Sequence, residues 1–192
     1  MSVSSILFGI FSDMGDAGIV LCIFVLFLID AFAFPTLPEL FMVLGFSAHP
    51  DPWFGAVLLL TAMTAEMIGV LSLYLLVSRI RVPERISKVA NRYIGFLLVN
   101  DERIILVNRV APMIPFLGAF IAMVDGWNVR KCLAYNALGC LLKYGTILIA
   151  NGFFIDYLGS DEAQTVTLVF IIAVIAASFA ASFFRKRREG LQ

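Results

Sequence analysis

Long apolar stretches dominate this sequence, and its polar residues fall mainly in short segments between them. Four stretches are long enough, at about 1.5 Å of helix per residue, to cross about 30 Å of hydrocarbon. They cover residues 17–34, 55–78, 132–155 and 163–184. Two further apolar segments, 35–49 and 104–124, are each interrupted by two prolines, which break helices. We therefore predict four transmembrane helices and two re-entrant hairpins; the alternative of kinked complete spans is disfavoured by length for the first segment.

The two proline-broken segments look like copies of each other. Pro35-x-x-Pro38 recurs 77 residues later as Pro112-x-x-Pro115, and no other Pro-x-x-Pro pair occurs in the sequence. We assign these four prolines as the breaks of the two hairpins. A broken segment followed by a spanning helix, present twice, is typical of duplicated transporter cores. Chance coincidence is the alternative, because side-chain identity between the copies is otherwise low.

The composition excludes an ordinary soluble domain. Hydrophobic residues make up 61% of the 192 residues, charged residues make up 15%, and the mean hydropathy is +0.96. Such a chain is expected in lipid, with room for one integral membrane domain. The three cysteines lack CxxC spacing, so they indicate small apolar residues rather than a metal or redox site. We expect no cofactor, no metal and no nucleic-acid partner.

Positive charges are concentrated in two segments. Six of the 14 Lys and Arg residues lie between Arg79 and Arg103, and four form residues 185–188. The positive-inside rule places both segments in the cytoplasm. Both termini are then cytoplasmic, His49 and Asp161 face outside, and the two hairpins enter from opposite sides. This pattern predicts a multi-pass protein of the plasma or inner membrane.

These observations predict an all-α polytopic membrane protein that forms a single integral membrane domain over residues 1–192. Its core is an inverted repeat of a re-entrant hairpin plus a transmembrane helix. We place repeat one at about 30–78, an amphipathic cytoplasmic helix at about 83–98, repeat two at about 104–155 and a C-terminal transmembrane helix at about 163–184. Membrane lipid is the expected partner, and a homodimer is left open.

Five charged residues fall within the apolar segments: Asp30, Glu39, Glu66, Arg109 and Lys143. Each costs about 2.5–3.5 kcal/mol in the membrane unless it is paired or faces water. Glu66 and Lys143 are also 77 residues apart, and each lies well inside its predicted helix. We predict that these two side chains meet across the repeat interface, either as part of a binding site or as a purely structural pair.

The positions of these charges assign candidate roles. Glu39 directly follows a proline and Arg109 lies three residues before one, so both lie at helix breaks, where half-helix ends help to bind ions. Arg109 and Lys143 are candidate substrate-binding residues, together with Asn136, which shares a helix face with Lys143. Three carboxylates are candidate proton-coupling residues: Glu39, Glu66 and Asp30. For the last of these, a structural role near the outer interface is the alternative.

Three segments carry a resemblance to a known family. The first is Asp30-Ala-Phe-Ala-Phe-Pro-Thr-Leu-Pro-Glu-Leu-Phe-Met-Val-Leu-Gly, which contains an acid, a Pro-x-x-Pro-Glu motif and a glycine. The others are Asn108-Arg-Val-Ala-Pro-Met-Ile-Pro and Gly126-Trp-Asn-Val-Arg-Lys-Cys-Leu-Ala-Tyr-Asn-Ala-Leu-Gly. Over roughly residues 30–154 the chain resembles the DedA family, also called the SNARE-associated or VTT-domain membrane proteins. The family's second arginine is absent near Pro115, and Lys143 is the candidate replacement.

The resemblance implies two oppositely inserted re-entrant hairpins and lipid flipping or scrambling. It also implies polyprenyl phosphates or phospholipids as substrates, with dependence on the proton gradient in bacterial members. The leading hypothesis is therefore a proton-linked flippase of an anionic lipid in which Arg109 holds the phosphate. The alternatives are proton-coupled efflux of cationic small molecules or ions, and a non-catalytic membrane scaffold or assembly factor. The sequence holds no HExxH, GxSxG or Asp-rich metal motif, so we do not expect an enzyme.

Overall fold

The computed structural model describes residues 15–32, 38–80, 101–110 and 116–158, together with the isolated positions 87, 114, 166, 169, 172 and 173. Over these residues all regular secondary structure is α-helical, which confirms the predicted helical class. The helices are α1 (Asp16–Phe32), α2 (Pro38–Ala48), α3 (Pro52–Arg79), α4 (Ile104–Val110), α5 (Leu117–Met123) and α6 (Val129–Leu158). Two of them, α3 and α6, are long and apolar enough to cross a membrane.

Several sequence-based predictions concern residues outside this part of the chain. Pro35, Pro112 and Pro115 belong to that group. So do most residues of the predicted amphipathic helix, about 83–98, and of the predicted C-terminal helix, about 163–184. The count of four full spans therefore stays a prediction.

Helices α1 and α2 form a hairpin whose two ends lie together. His49 Nδ1, just after α2, lies 3.0 Å from Asp16 Oδ2 at the start of α1. Gly45 of α2 lies so close to α1 that a Cβ atom there would be 3.1 Å from the Ile19 side chain. One face of this first hairpin is buried against α3.

The geometry of the first hairpin corrects one prediction. The sequence predicts a complete span over residues 17–34 and then a separate hairpin over 35–49, which would put Asp16 and His49 at opposite ends. The contact between these two side chains shows that this is wrong, and that α1 is itself the first arm of the hairpin. Prolines indicate where a helix breaks but not the direction of the chain afterwards, which the packing of α1 against α2 decides.

Helices α4 and α5 form a second hairpin that is closed at its base and supported at its tip. At the base, the Asn128 backbone N–H donates to Glu102 Oε1 at 3.2 Å. At the tip, the Ile114 backbone N–H donates to Asn108 Oδ1 at 2.6 Å, and Asn108 Nδ2 donates to Ile114 O at 3.4 Å. A helix break leaves backbone groups unpaired. The buried Asn108 side chain therefore replaces part of the hydrogen bonding that the break removes.

The closure at the base of the second hairpin depends on an ionised carboxylate. Hydrogen bonds from the backbone of Glu102 itself and from Asn128 lower the pKa of the exposed Glu102 carboxyl. A lowered pKa means that the stabilisation is present at neutral pH and is lost as the pH falls through the lowered value.

The two hairpins open towards opposite ends of the helix bundle. The His49 ring contacts Phe54 near the start of α3, with 5.5 Å between the ring centroids. The first hairpin therefore opens at the N-terminal end of α3. Ser87 lies beyond the C-terminus of α3, and its Oγ donates to Met123 O at the end of α5 at 2.9 Å. The second hairpin therefore opens at the C-terminal end of α3.

Each hairpin packs against the long helix of the other half of the chain. Asn151 Nδ2 in the second half of α6 donates to Val43 O and to Ser47 Oγ of α2, at 3.3 and 3.1 Å. Gly118 of α5 lies against α3, where a Cβ atom would come within 2.2 Å of Val70 O. The order of a hairpin and then a long helix thus occurs twice, in α1–α3 and in α4–α6, and the two copies run in opposite directions.

We expect the closed base of the first hairpin to be detectable by cross-linking. A short bifunctional thiol reagent should join cysteines introduced as Asp16→Cys and His49→Cys, because the native side chains are 3.0 Å apart. The matched control, His49→Cys with Asn128→Cys, should not react, since these positions lie at opposite ends of the bundle. Mass spectrometry of proteolytic fragments identifies the linked peptides. Linkage in the control pair and none in the test pair would contradict this hairpin.

Candidate functional site

Four of the predicted charged residues come together near the middle of the bundle. Glu66 and Lys143 are each the fifteenth residue of their long helix, α3 or α6. Glu39 is the second residue of α2 and Arg109 is the next to last residue of α4, so both lie at hairpin tips. Because the hairpins enter from opposite ends, both tips reach the same central level. We refer to these four residues as the charge cluster.

One ion pair joins the tip of the second hairpin to α3. Arg109 Nη2 lies 2.6 Å from Glu66 Oε1, and the two side chains are 11% and 2% exposed. Arg109 Nε also donates to Asn136 Oδ1 of α6 at 2.8 Å. Gly139, one turn further along α6, provides space for the arginine stem, because a Cβ atom there would lie 2.6 Å from Arg109 Cγ. Arg109 is therefore held between the two long helices.

The other ion pair joins the tip of the first hairpin to α6. Lys143 Nζ binds Glu39 Oε1, and the two side chains are 24% and 9% exposed. The same Nζ lies 5.3 Å from the centroid of the Tyr144 ring. Glu39 lies in the first turn of α2, where the helix dipole stabilises a negative charge.

The predicted pairing of Glu66 with Lys143 is wrong. Glu66 binds Arg109 instead, and Lys143 binds Glu39. The 77-residue offset places Glu66 and Lys143 at equivalent points of the two long helices, but equivalence does not decide contact. The tip of each hairpin carries a charge opposite to the one on the long helix of the other half. The tip packs beside that helix, so the tip residue forms the ion pair.

Both ion pairs lie beside the middle of α6, within the two turns between Asn136 and Lys143. Tyr144 is buried and lies within electrostatic range of both carboxylates of the charge cluster. Its ring packs edge-on against Phe27 of α1, with 4.9 Å between the centroids. Two acids and two bases thus share one buried region without net charge, where Coulomb attraction is much stronger than in water.

One carboxylate oxygen of the charge cluster has no partner within the described residues. Glu66 Oε1 binds Arg109, whereas Glu66 Oε2 is buried and accepts no hydrogen bond from them. A buried acceptor without a donor costs about 1–3 kcal/mol. Within the cluster, this oxygen is therefore the acceptor that a donor group of a ligand would stabilise most.

Three further described residues belong to the predicted site: Asn136, Asp30 and Pro38. Asn136 is buried and binds Arg109, so the structure brings this predicted amide next to the cluster. Asp30 is a partly exposed residue near the C-terminal end of α1. Pro38 is the buried first residue of α2, so one predicted break coincides with a helix start.

Two buried asparagines that the sequence pattern did not single out hold the hairpins in place. Asn108 binds the backbone of Ile114 at the tip of the second hairpin. Asn151 ties α6 to α2 through Val43 and Ser47. A buried side-chain amide in an apolar helix is unfavourable unless it forms hydrogen bonds. Such amides, like buried charges, therefore indicate which helix faces pack together.

Comparison with protein-family models, with curated proteins and with solved structures finds no match for this chain. The resemblance to the DedA family therefore stays a prediction. Among the described residues, no group of three or more His, Cys, Asp and Glu side chains is arranged to hold a metal ion.

Breaking the Arg109–Glu66 pair should destabilise the fold. Glu66→Gln alone leaves a buried arginine without its counter-charge, which typically costs about 3–5 kcal/mol. Glu66→Gln combined with Arg109→Met should recover part of that loss. The control, Glu66→Gln with Lys143→Met, should show no recovery because these side chains are not paired. Thermal unfolding of the purified variants measures both cycles, and recovery in the control alone would contradict the observed pairing.

A methyl group at Gly139 should disturb Arg109. Gly139→Ala places a Cβ atom 2.6 Å from Arg109 Cγ, so we expect a loss of about 1–3 kcal/mol in stability. Gly145→Ala on the same helix is the matched control, since no atom lies within 4 Å of the new Cβ. It should be neutral or stabilise by up to about 1 kcal/mol through helix propensity. Equal unfolding temperatures for the two variants would argue against the tight contact.

Proposed function

We propose that the chain is an integral membrane protein with two re-entrant hairpins inserted from opposite sides, and that it moves an anionic lipid in a proton-linked manner. The charge cluster carries this proposal: its two ion pairs lie at the tips of two oppositely directed hairpins, in the middle of an apolar bundle. Inverted repeats with helix breaks at a central polar site are a common architecture of secondary transporters.

The surface of the bundle supports the membrane location. Large apolar side chains are exposed along both long helices, among them Leu60, Leu76, Leu142, Ile149 and Phe153. Trp53 at the start of α3 and Tyr157 near the end of α6 are exposed at the same end of the bundle, as expected for aromatic residues at a bilayer interface. The 28 residues of α3 extend over about 42 Å, more than the hydrocarbon thickness of about 30 Å.

The positive-inside rule orients this bundle in the membrane. The basic segment between Arg79 and Arg103 follows α3 and is cytoplasmic in this orientation. The first hairpin, closed by Asp16 and His49, then enters from outside, so Asp16 also lies outside in this orientation. The predicted cytoplasmic N-terminus concerns residues 1–14, which lie outside the described part of the chain. The second hairpin, closed by Glu102, enters from the cytoplasm.

The two cations of the charge cluster favour an anionic headgroup as the substrate. Arg109 and Lys143 already bind carboxylates, and a phosphate offers oxygen acceptors of the same kind. Protonation of the carboxylate releases its cation to the phosphate, and this exchange links a proton to the lipid. The hydrocarbon tail stays in the bilayer, so only the headgroup crosses the polar region. The resemblance to the DedA family favours a polyprenyl phosphate or a phospholipid.

A purely structural role fits the charge cluster less well. Replacing a buried ion pair by apolar side chains of similar volume is often neutral or stabilising. The two pairs hold the hairpins in register, but apolar side chains could stabilise a scaffold at least as well. The position of both pairs at hairpin tips therefore favours transport over the scaffold alternative.

The unpartnered Glu66 Oε2 favours a second candidate function, proton-coupled efflux of cationic small molecules or ions. In that case the carboxylates bind the substrate, and Arg109 serves only to neutralise Glu66 between transport cycles. The two candidates therefore differ in whether transport needs the arginine fork or only the acids.

Transport in proteoliposomes tests the proposed function. Reconstituted protein should move a labelled polyprenyl phosphate between leaflets. Arg109→Lys keeps the charge but loses the fork of donors that binds Glu66 and Asn136, so it should slow transport roughly 10- to 100-fold. Glu39→Gln mimics the protonated carboxyl, so it should still transport but lose its response to an imposed pH gradient.

Both variants need thermal stabilities near that of the wild type, because misfolding would imitate lost transport. Wild-type rates and a wild-type pH response in both variants would contradict the proposed mechanism. Normal lipid movement in Arg109→Lys with lost efflux of a cationic dye in Glu39→Gln would favour the second candidate. Failure of the wild-type protein to move the polyprenyl phosphate or an ordinary phospholipid would exclude lipid transport.

A further inference from the structure

The two ion pairs of the charge cluster differ in how easily a ligand can reach them. The Lys143 and Glu39 side chains are 24% and 9% exposed. The corresponding values for Arg109 and Glu66 are 11% and 2%. A headgroup that approaches from the surrounding bilayer therefore meets Lys143 before Arg109.

Arg109 is enclosed on several sides. Its Nη2 and Nε already bind Glu66 and Asn136. Its stem lies against Gly139, with no room for even one additional carbon atom. It also lies in the last turn of α4, where the helix dipole favours a positive charge in place. A ligand gains access to this arginine only after α4 separates from α6.

Unlike Arg109, Glu39 lies at a position whose surroundings stabilise a negative charge. Its carboxylate lies in the first turn of α2, an 11-residue helix whose N-terminal end stabilises negative charge. The same carboxylate binds the ammonium group of Lys143. A phosphate carries more negative charge and more acceptor oxygens than a carboxylate. It can therefore take over both interactions when the glutamate turns away.

We infer that Lys143 and the first turn of α2 form the first-contact site for the phosphate headgroup, with Glu39 as the internal anion that the phosphate displaces. Arg109 acts in a later step, after the second hairpin has moved. The inference rests on the proposed function and deepens it. It assigns the initial recognition of the headgroup to the lysine, whereas the sequence alone favoured the arginine.

Two matched double substitutions separate the ion pairs. Glu39→Gln with Lys143→Gln, and Glu66→Gln with Arg109→Gln, each remove one acid and one base, so both leave the net charge unchanged. Binding of farnesyl phosphate to the purified protein in detergent is measured by isothermal titration calorimetry, with farnesol as the uncharged control. The first variant should bind farnesyl phosphate at least about tenfold more weakly than the second, because only the first removes the site of initial contact.

Single substitutions at Lys143 give an independent check of the same site. Lys143→Arg keeps a cation beside α2 and should retain binding, whereas Lys143→Met should lose it. If the double variant at Glu66 and Arg109 does not fold, Arg109→Lys replaces it. A smaller loss of farnesyl phosphate binding in Arg109→Lys than in Lys143→Met supports the first-contact site, and an equal or larger loss overturns it.

The possible outcomes separate this inference from the proposed function. Unchanged binding in the Glu39 and Lys143 double variant, or equal losses in both double variants, would overturn the first-contact site and leave lipid transport standing. A wild-type protein that binds farnesyl phosphate no better than farnesol would instead contradict the anionic substrate class itself.

Discussion

Opposite charges in an apolar interior have to stay together, and this constraint holds the two halves of the protein in register. A buried charge without a partner costs several kcal/mol. Each hairpin tip therefore stays beside the long helix of the other half. Glu39 is tied to α6 through Lys143, and Arg109 is tied to α3 through Glu66. The packing of α2 on α6 and of α5 on α3 follows the same crossed arrangement.

Under the proposed function, the same constraint also governs how an anion binds. In the proposed exchange a phosphate takes the place of a carboxylate at the cation, and protonation of that carboxylate leaves no buried charge without a partner. The Lys143–Glu39 pair is the more exposed of the two, with side chains 24% and 9% exposed against 11% and 2% for Arg109 and Glu66. In the proposed inverted repeat, exchange of the more and less exposed arrangements between the two halves would provide alternating access.

Features that depend only on neighbouring residues could be predicted from the amino-acid sequence. Apolar length defines α3 and α6, which contain the predicted spans 55–78 and 132–155. Proline chemistry places one break at Pro38, because proline fits the first position of a helix but not its interior. Hydrophobic surroundings mark Glu66 as a buried charge. Each of these features could be predicted because it depends only on residues within one helix.

Contacts between distant residues, in contrast, depend on the packing of the folded chain. The contact of Asp16 with His49 makes α1 an arm of the first hairpin, and no local pattern specifies the direction of the chain after a break. The partner of Glu66 is Arg109 because the tip of the second hairpin reaches α3 in the packed bundle. The role of Asn108 also depends on the fold, because its side chain can bind the backbone of Ile114 only where the chain bends back at the hairpin tip. Contacts between distant segments depend on how the helices pack together, and the residues along one helix do not specify that packing.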